Sequence, residues 1–249
     1  MENGVRRFEW ESFATDDELA EAAGRRFATR VIAARDASRF LSIALSGGRI
    51  ATRFFAAATR HLAGRGGMGG RAHFFWADER CVAPEDAESN YRAAKEGLLG
   101  PLGVATAQVH RIPGELDPVE AALRASAEYA GVMARHGVEP ARLDLALLGM
   151  GEDGHIASLF PGEAGGSRLD PAIFRAVVAP KPPPNRVTMG YGTLGAAREV
   201  WVLVSGGGKE GALKESLRPG GRTPLARLLG MQGNAHVLSS VQLPPPNRP

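Results

Sequence analysis

The sequence predicts an α/β fold with a doubly wound, mostly parallel sheet that carries helices on both faces. Three observations carry this expectation. Short apolar runs alternate with helical patterns in the order strand, loop, helix, strand, which is the signature of a parallel sheet covered by helices. Glycine-rich stretches fall where the strands should end, at Ser46-Gly47-Gly48, Gly149 to His155 and Ser205 to Lys209. No long polar linker and no internal repeat interrupts the 249 residues. One domain over residues 1–249 is therefore expected, with a loose proline-rich tail from about residue 244.

The elements follow in order. Thr15 precedes Asp16, Asp17 and Glu18, which open a helix with Leu19, Ala23, Phe27 and Val31 on one face. Leu41 to Leu45 is a short buried strand, and an alanine-rich helix follows the Ser46-Gly47-Gly48 turn to about His61. The glycines between Gly64 and Gly70 mark a surface loop. Ala72, Phe74 and Trp76 alternate as the next strand, which stops at Ala77-Asp78-Glu79-Arg80. Asp117 as cap, Pro118 at the first position and Glu120 three residues after the cap start another helix, which Gly137 closes. Leu143 to Leu148 is a mainly apolar strand that runs into the Gly149 to His155 stretch. Further strands are expected at 173–179, 186–191 and 200–205, the last opening through Gly206-Gly207-Gly208-Lys209 into a helix.

Apolar residues make up 44% of the chain, enough for a substantial core. The net charge is +3, with Lys and Arg spread rather than gathered, so nucleic acid is not an expected partner. Cys81 is the single cysteine and has no internal disulfide partner, which suits a reducing, cytoplasmic setting. Met1 to Glu11 lacks the apolar centre of a signal peptide. No run reaches the ~20 apolar residues of a membrane span, so no membrane partner is expected either. The sequence leaves oligomeric state open, with a monomer favoured.

Ligands of such sheets bind at the carboxyl ends of the strands, and the loops after Leu45, Trp76, Leu148 and Ser205 fall there. Ser46-Gly47-Gly48 turns backbone N–H groups and a helix start toward an anion, or is simply a tight turn; the two readings weigh equally. Gly206-Gly207-Gly208-Lys209 repeats the pattern and adds a cation. It is not a P-loop, because Leu203 stands where the first glycine belongs and Glu210 where Ser or Thr would hold magnesium. Two such loops with cations nearby point to a simple phosphate ester rather than ATP.

Gly149-x-Gly151-x-x-Gly154 also matches a dinucleotide fingerprint, with Asp170 near the place of a ribose-binding acid. That reading is the weaker one, since the fingerprint should open a long helix early in the chain and Pro161-Gly162 interrupts this segment. A lone histidine is usually structural or exposed. In Asp153-Gly154-His155, however, a glycine turn at a strand end presents the imidazole, and Asp153 is near enough to fix its tautomer. Asp153 and His155 offer a metal two ligands with no third nearby, so no metal is expected. A serine nucleophile is disfavoured because the chain has no G-x-S-x-G elbow. Asp78-Glu79-Arg80 is either a solvated charge cluster or a carboxylate for sugar hydroxyls beside a guanidinium for phosphate.

Taken together these residues resemble a known family. The segment from Leu143 through Asp153-Gly154-His155 to Leu159-Phe160-Pro161-Gly162 is similar to the signature segment of the 6-phosphogluconolactonases. Trp76-Ala77-Asp78-Glu79-Arg80 followed by Ser89-Asn90-Tyr91 resembles their second motif. The Ser46 loop, Arg111 to Glu115, Arg186-Val187-Thr188 and Ser205 to Lys209 follow in the family's order, so the resemblance spans nearly the whole chain. It implies a modified Rossmann-like sheet and hydrolysis of 6-phospho-D-glucono-1,5-lactone to 6-phosphogluconate, in the oxidative pentose phosphate pathway. The implied partner is a small phosphorylated sugar lactone, and neither metal nor organic cofactor is implied. His155 becomes the general base and Asp153 its partner. Arg80 and Lys209 become phosphate ligands, supported by Arg186 and by Ser46, Gly47 and Gly48, and Asp78 faces the sugar.

One departure stands out. The family loop continues Ser-Thr-Pro after its two glycines, whereas Arg49-Ile50-Ala51 follows here. Arg49 therefore replaces missing hydroxyls with charge or points into solvent. Two alternatives remain. Glucosamine-6-phosphate deaminases share the fold and a similar histidine loop, but the resemblance leads one to expect an acid where this chain has Phe160. Non-catalytic sugar-phosphate sensors of similar architecture carry an added DNA-binding segment, for which the dozen or so residues before the first helix are too few.

Overall fold

A computed structural model describes residues 8–162 and 172–243. Its elements are β1 (Phe8–Ser12), α1 (Asp16–Asp36), β2 (Leu41–Leu45), α2 (Arg49–Leu62), β3 (Ala72–Trp76), β4 (Asp78–Arg80) and α3 (Asn90–Ala94), which runs into a π turn at Lys95–Leu99. They continue with α4 (Pro118–Arg135), β5 (Leu145–Gly149), β6 (Phe174–Val178), β7 (Asn185–Met189), α5 (Tyr191–Gly195), β8 (Val200–Val204), α6 (Glu210–Leu217), α7 (Pro224–Met231) and β9 (Ala235–Ser239). Asp170 and the tail from Pro244 lie outside the described residues.

Local chemistry starts and stops the helices as the sequence predicts. Thr15 caps α1 by accepting from the Glu18 N–H, and Leu19, Ala23, Phe27 and Val31 are buried along one face. Asp117 caps α4 through the N–H groups of Val119 and Glu120. The Glu120 side chain does not close a capping box; it pairs instead with Arg124 one turn on. Beyond the end of α4, Gly137 and Val138 donate back to Ala134 and Met133, the paired bonds of a Schellman motif.

The main sheet has six strands in the order β1-β9-β8-β5-β2-β3, and every pairing in it is parallel. Helices flank it, and β2, β3 and β8 are buried along their whole length. In β3, where Ala72, Phe74 and Trp76 alternate, the intervening His73 and Phe75 are buried too. The edge at β3 is closed by the chain around Val109, which bridges to Phe74, while His110 donates to the Phe74 carbonyl. Two strands of the main sheet were not apparent in the sequence. β1 carries Glu9 and Glu11 between its apolar residues, and β9 is short; they pair with each other and seal the opposite side.

The strands expected at 173–179 and 186–191 do not join the parallel sheet. They form β6 and β7 of a separate antiparallel sheet in the order β4-β7-β6. Only residues 179–184 separate them, and a parallel crossover needs about a dozen residues or more. β4 itself is the Asp78-Glu79-Arg80 triplet, drawn out as a strand by pairing with β7. Among the described residues, no helix is long and apolar enough to cross a membrane.

Candidate active site

In the main sheet, β2 and β5 are neighbours from which the chain proceeds outward in opposite directions, to β3 on one side and to β8 and β9 on the other. Ligand crevices open where strand order reverses in this way. A pocket lies there, at the carboxyl ends of β2 and β5, roofed by the antiparallel sheet. Ser46, Gly47, Gly48, Arg49, Asp78, Arg80, His155, Arg186 and Lys209 all line it. Asp153 does not, but it holds His155.

The histidine loop is fixed from three sides. Asp153 Oδ1 accepts from His155 Nδ1 at 2.5 Å and from the His155 N–H at 3.1 Å. A carboxylate has no proton to give when ionised, so in the neutral imidazole Nδ1 carries the hydrogen and Nε2 the lone pair. Burial raises the Asp153 carboxyl, but the hydrogen bonds from His155 outweigh it and the net direction is down. The imidazole sits directly over Gly151, where a Cβ would fall 2.0 Å from a ring carbon. Gly154 has φ +81° and abuts Thr223, the cap of α7; its carbonyl accepts from Leu225 in the first turn of that helix. The glycines that mimic a dinucleotide fingerprint thus serve a close ring approach and a left-handed turn.

Beyond the ring, Ser158 ties the loop to the antiparallel sheet. Its N–H donates to Thr188 Oγ1 at 3.2 Å and its hydroxyl to Asp78 Oδ2 at 2.7 Å. Asp78, expected to face the sugar, lines the pocket but also anchors this loop. Phe160 covers the imidazole with ring centroids 4.8 Å apart.

The cations fall into two pairs. Arg80 and Arg186 are direct partners across β4 and β7. Like charges opposite one another weaken an antiparallel pair, and an anion between them at the pocket wall would offset that repulsion. Arg186 is partly committed, since it donates to the carbonyls of Pro183, Lys181 and Pro182 and lies over the Phe160 ring. Arg80 donates to the Glu88 carbonyl and pairs with the Glu88 carboxylate at 3.4 Å, while its Nε is buried with no partner. The side chains of Lys209 and Arg49 make no hydrogen bond or ion pair among the described residues. Burial, and then the charge of Arg49, holds Lys209 below the usual lysine range. The Arg49 guanidinium lies against Gly206, 3.3 Å from where a Cβ there would stand, so it spans from one glycine loop to the other. The Ser46 hydroxyl is also buried and unpartnered.

Several contributors escaped the sequence reading. Asn90 lines the pocket, packs against Gly47 and donates to the Asp78 carbonyl at 2.9 Å. Ser205 lines it as well, and Ser158 and Thr223 hold the histidine loop. Asn90 and Ser205 stand within stretches already recognised, but nothing local distinguishes them from structural residues. Among the described residues, Glu9, Glu11 and His236 are near enough to one another to share a metal. They lie on β1 and β9, away from the pocket, and Arg26 forks onto Glu11.

A family model described as glucosamine-6-phosphate isomerases/6-phosphogluconolactonase matches residues 14–237. The chain belongs to that family. It is 33% identical to a 6-phosphogluconolactonase of Mycobacterium leprae, over 92% of this chain and 94% of that protein. It is 34% identical to one of Streptomyces coelicolor, over 88% of this chain and 86% of the relative. The solved 6-phosphogluconolactonase of Trypanosoma cruzi superposes with a TM-score of 0.79 at 26% identity, covering 93% of this chain and 94% of that one.

Proposed function

We propose that the chain hydrolyses 6-phospho-D-glucono-1,5-lactone to 6-phosphogluconate, with His155 as the general base. Family membership over most of the chain supports the reaction. The observation that carries the mechanism is the free Nε2 of His155 in a pocket walled by four cations, its ring held by Asp153. Water attacks C1 of the lactone and gives its proton to Nε2. The tetrahedral intermediate collapses with cleavage of the bond from C1 to the ring oxygen, which takes the proton back from the imidazolium. The phosphate lies against Arg80 and Lys209, with Arg49, Arg186 and the Ser46-Gly47-Gly48 turn in support.

Deamination of glucosamine 6-phosphate is the lesser reading. Phe160 occupies the place where the deaminases are expected to carry an acid, and its apolar ring packs on His155. The deciding experiment supplies purified protein with fresh 6-phosphogluconolactone and, separately, with glucosamine 6-phosphate, against protein-free blanks because the lactone opens spontaneously. Accelerated hydrolysis of the lactone without ammonia from the amino sugar is expected. Ammonia release without lactone hydrolysis would reverse the assignment.

A further inference from the structure

Glu79 does not line the pocket and is 3% exposed, yet its carboxylate accepts four hydrogen bonds. Oε1 takes the N–H groups of Arg80 at 2.8 Å and Asn90 at 2.7 Å; Oε2 takes the Tyr91 N–H at 2.7 Å and the Ser89 hydroxyl at 3.2 Å. These donors come from the last residue of β4 and from the start of α3. One carboxylate therefore closes residues 81–88 into a loop whose two ends, Arg80 and Asn90, both reach the pocket. The Ser89 hydroxyl accepts from the Arg92 N–H alone, so Glu79 also takes the first-turn N–H groups of Asn90 and Tyr91 that this cap leaves over. Burial pushes the Glu79 carboxyl up to about 7, against the pull of the three backbone donors, so placing an acid here is costly. What the arrangement secures is position: Arg80 with its Nε unpartnered, and Asn90 seated against Gly47 and Asp78.

We propose that Glu79 is a positioning residue for the phosphorylated substrate, clamping Arg80 and Asn90 at one wall of the pocket without touching the substrate itself. The inference rests on Arg80 meeting the phosphate. The test compares Glu79→Gln, Arg80→Ala and the double variant on 6-phosphogluconolactone and on unphosphorylated gluconolactone. Glutamine keeps the shape but turns an NH₂ toward backbone N–H groups, so at least one donor loses its acceptor.

Glu79→Gln is expected to raise KM for the phosphorylated lactone about tenfold or more, with kcat changed less than about threefold. Its rate on gluconolactone should stay within about twofold of the parent. In the Arg80→Ala background the same change should add no more than about twofold, because the two act as one unit. Equal losses on both substrates, or effects that multiply in the double variant, would overturn the clamp. If Arg80→Ala alone leaves KM unchanged, the phosphate reading beneath it fails instead. Should Glu79→Gln not fold, Ser89→Ala removes one of the four donors and should raise KM by about threefold in the same substrate-selective way; an unchanged KM there overturns the proposal equally.

Discussion

Asp153 can only accept at Nδ1, so a neutral His155 has its lone pair on Nε2, and the proposal that it acts as base has measurable consequences. Removal of a general base costs about 10²–10⁴-fold in rate. His155→Ala should lose kcat on that scale while still binding 6-phosphogluconate in a titration; near-normal turnover in a folded variant would remove His155 from the mechanism. Asp153→Asn should cost less, since the amide disturbs the tautomer but leaves the ring. Around the phosphate, a charge-assisted contact contributes about 1.5–3 kcal/mol, roughly one to two decades of affinity. Lys209→Ala should weaken 6-phosphogluconate binding by that factor and leave activity on unphosphorylated gluconolactone almost untouched. Arg49 lies against Gly206 rather than away from the site, so Arg49→Ala should follow Lys209→Ala in direction. Unchanged calorimetric affinity would show that its charge is spent elsewhere. Arg186, already bonded to three carbonyls, has less of its guanidinium to offer an anion.

The loop after β5 separates two demands that glycine meets. At Gly151 the demand is space, because the His155 ring occupies the volume of a side chain. At Gly154 the demand is a left-handed backbone, with Thr223 crowding the same atom. Gly151→Ala should therefore displace the imidazole from Asp153 and lower kcat by about tenfold or more, with little change in melting temperature. Gly154→Ala should instead destabilise the fold by about 1–2 kcal/mol from the backbone alone, and further through its contact with α7. Chemical unfolding and kcat measured side by side distinguish the two. Should Gly151→Ala retain full activity, the close ring approach is not required for catalysis. The antiparallel sheet plays a matching part, since Thr188 of β7 and Asp78 of β4 hold the histidine loop through Ser158.

At the scale of the whole molecule, catalysis and acid stability draw on opposite ends of the sheet. His73, near the amino end of β3, bonds to His110, which bonds to Glu128, while His136 packs edge-on against the His73 ring. Burial, then the neighbouring His110, His136 and Arg135, brings His73 from 6.5 down to about 4. Between those values the unfolded chain holds more protons than the folded one, so this histidine's contribution to stability is present above 6.5 and is lost as pH falls toward 4. Glu79, raised to about 7, acts in the opposite sense, losing stability as pH rises from 4.5 through 7. The difference between parent and a His73→Asn variant isolates the histidine: the gap in unfolding free energy should narrow from pH 7 to pH 4.5. A gap independent of pH would mean that His73 does not titrate in this window.

The sequence by itself determined the parallel α/β class, most helix boundaries, the glycine loops at strand ends and the histidine turn with its aspartate. All of these are local signals. A strand followed by glycine, or an acid before a proline, constrains the chain within a few residues whatever lies elsewhere. Only the tertiary structure decided that 174–189 forms its own antiparallel sheet, that the triplet 78–80 joins it, and that β1 and β9 complete the main one. It alone also decided which cations stand together, since Arg80 meets Arg186 through strand register and Arg49 meets the Gly206 loop through the adjacency of strand ends. Asn90, Ser158 and Thr223 became legible for the same reason. Their roles lie in what they touch across the fold, and spacing along the chain carries no record of which loops the sheet will bring face to face.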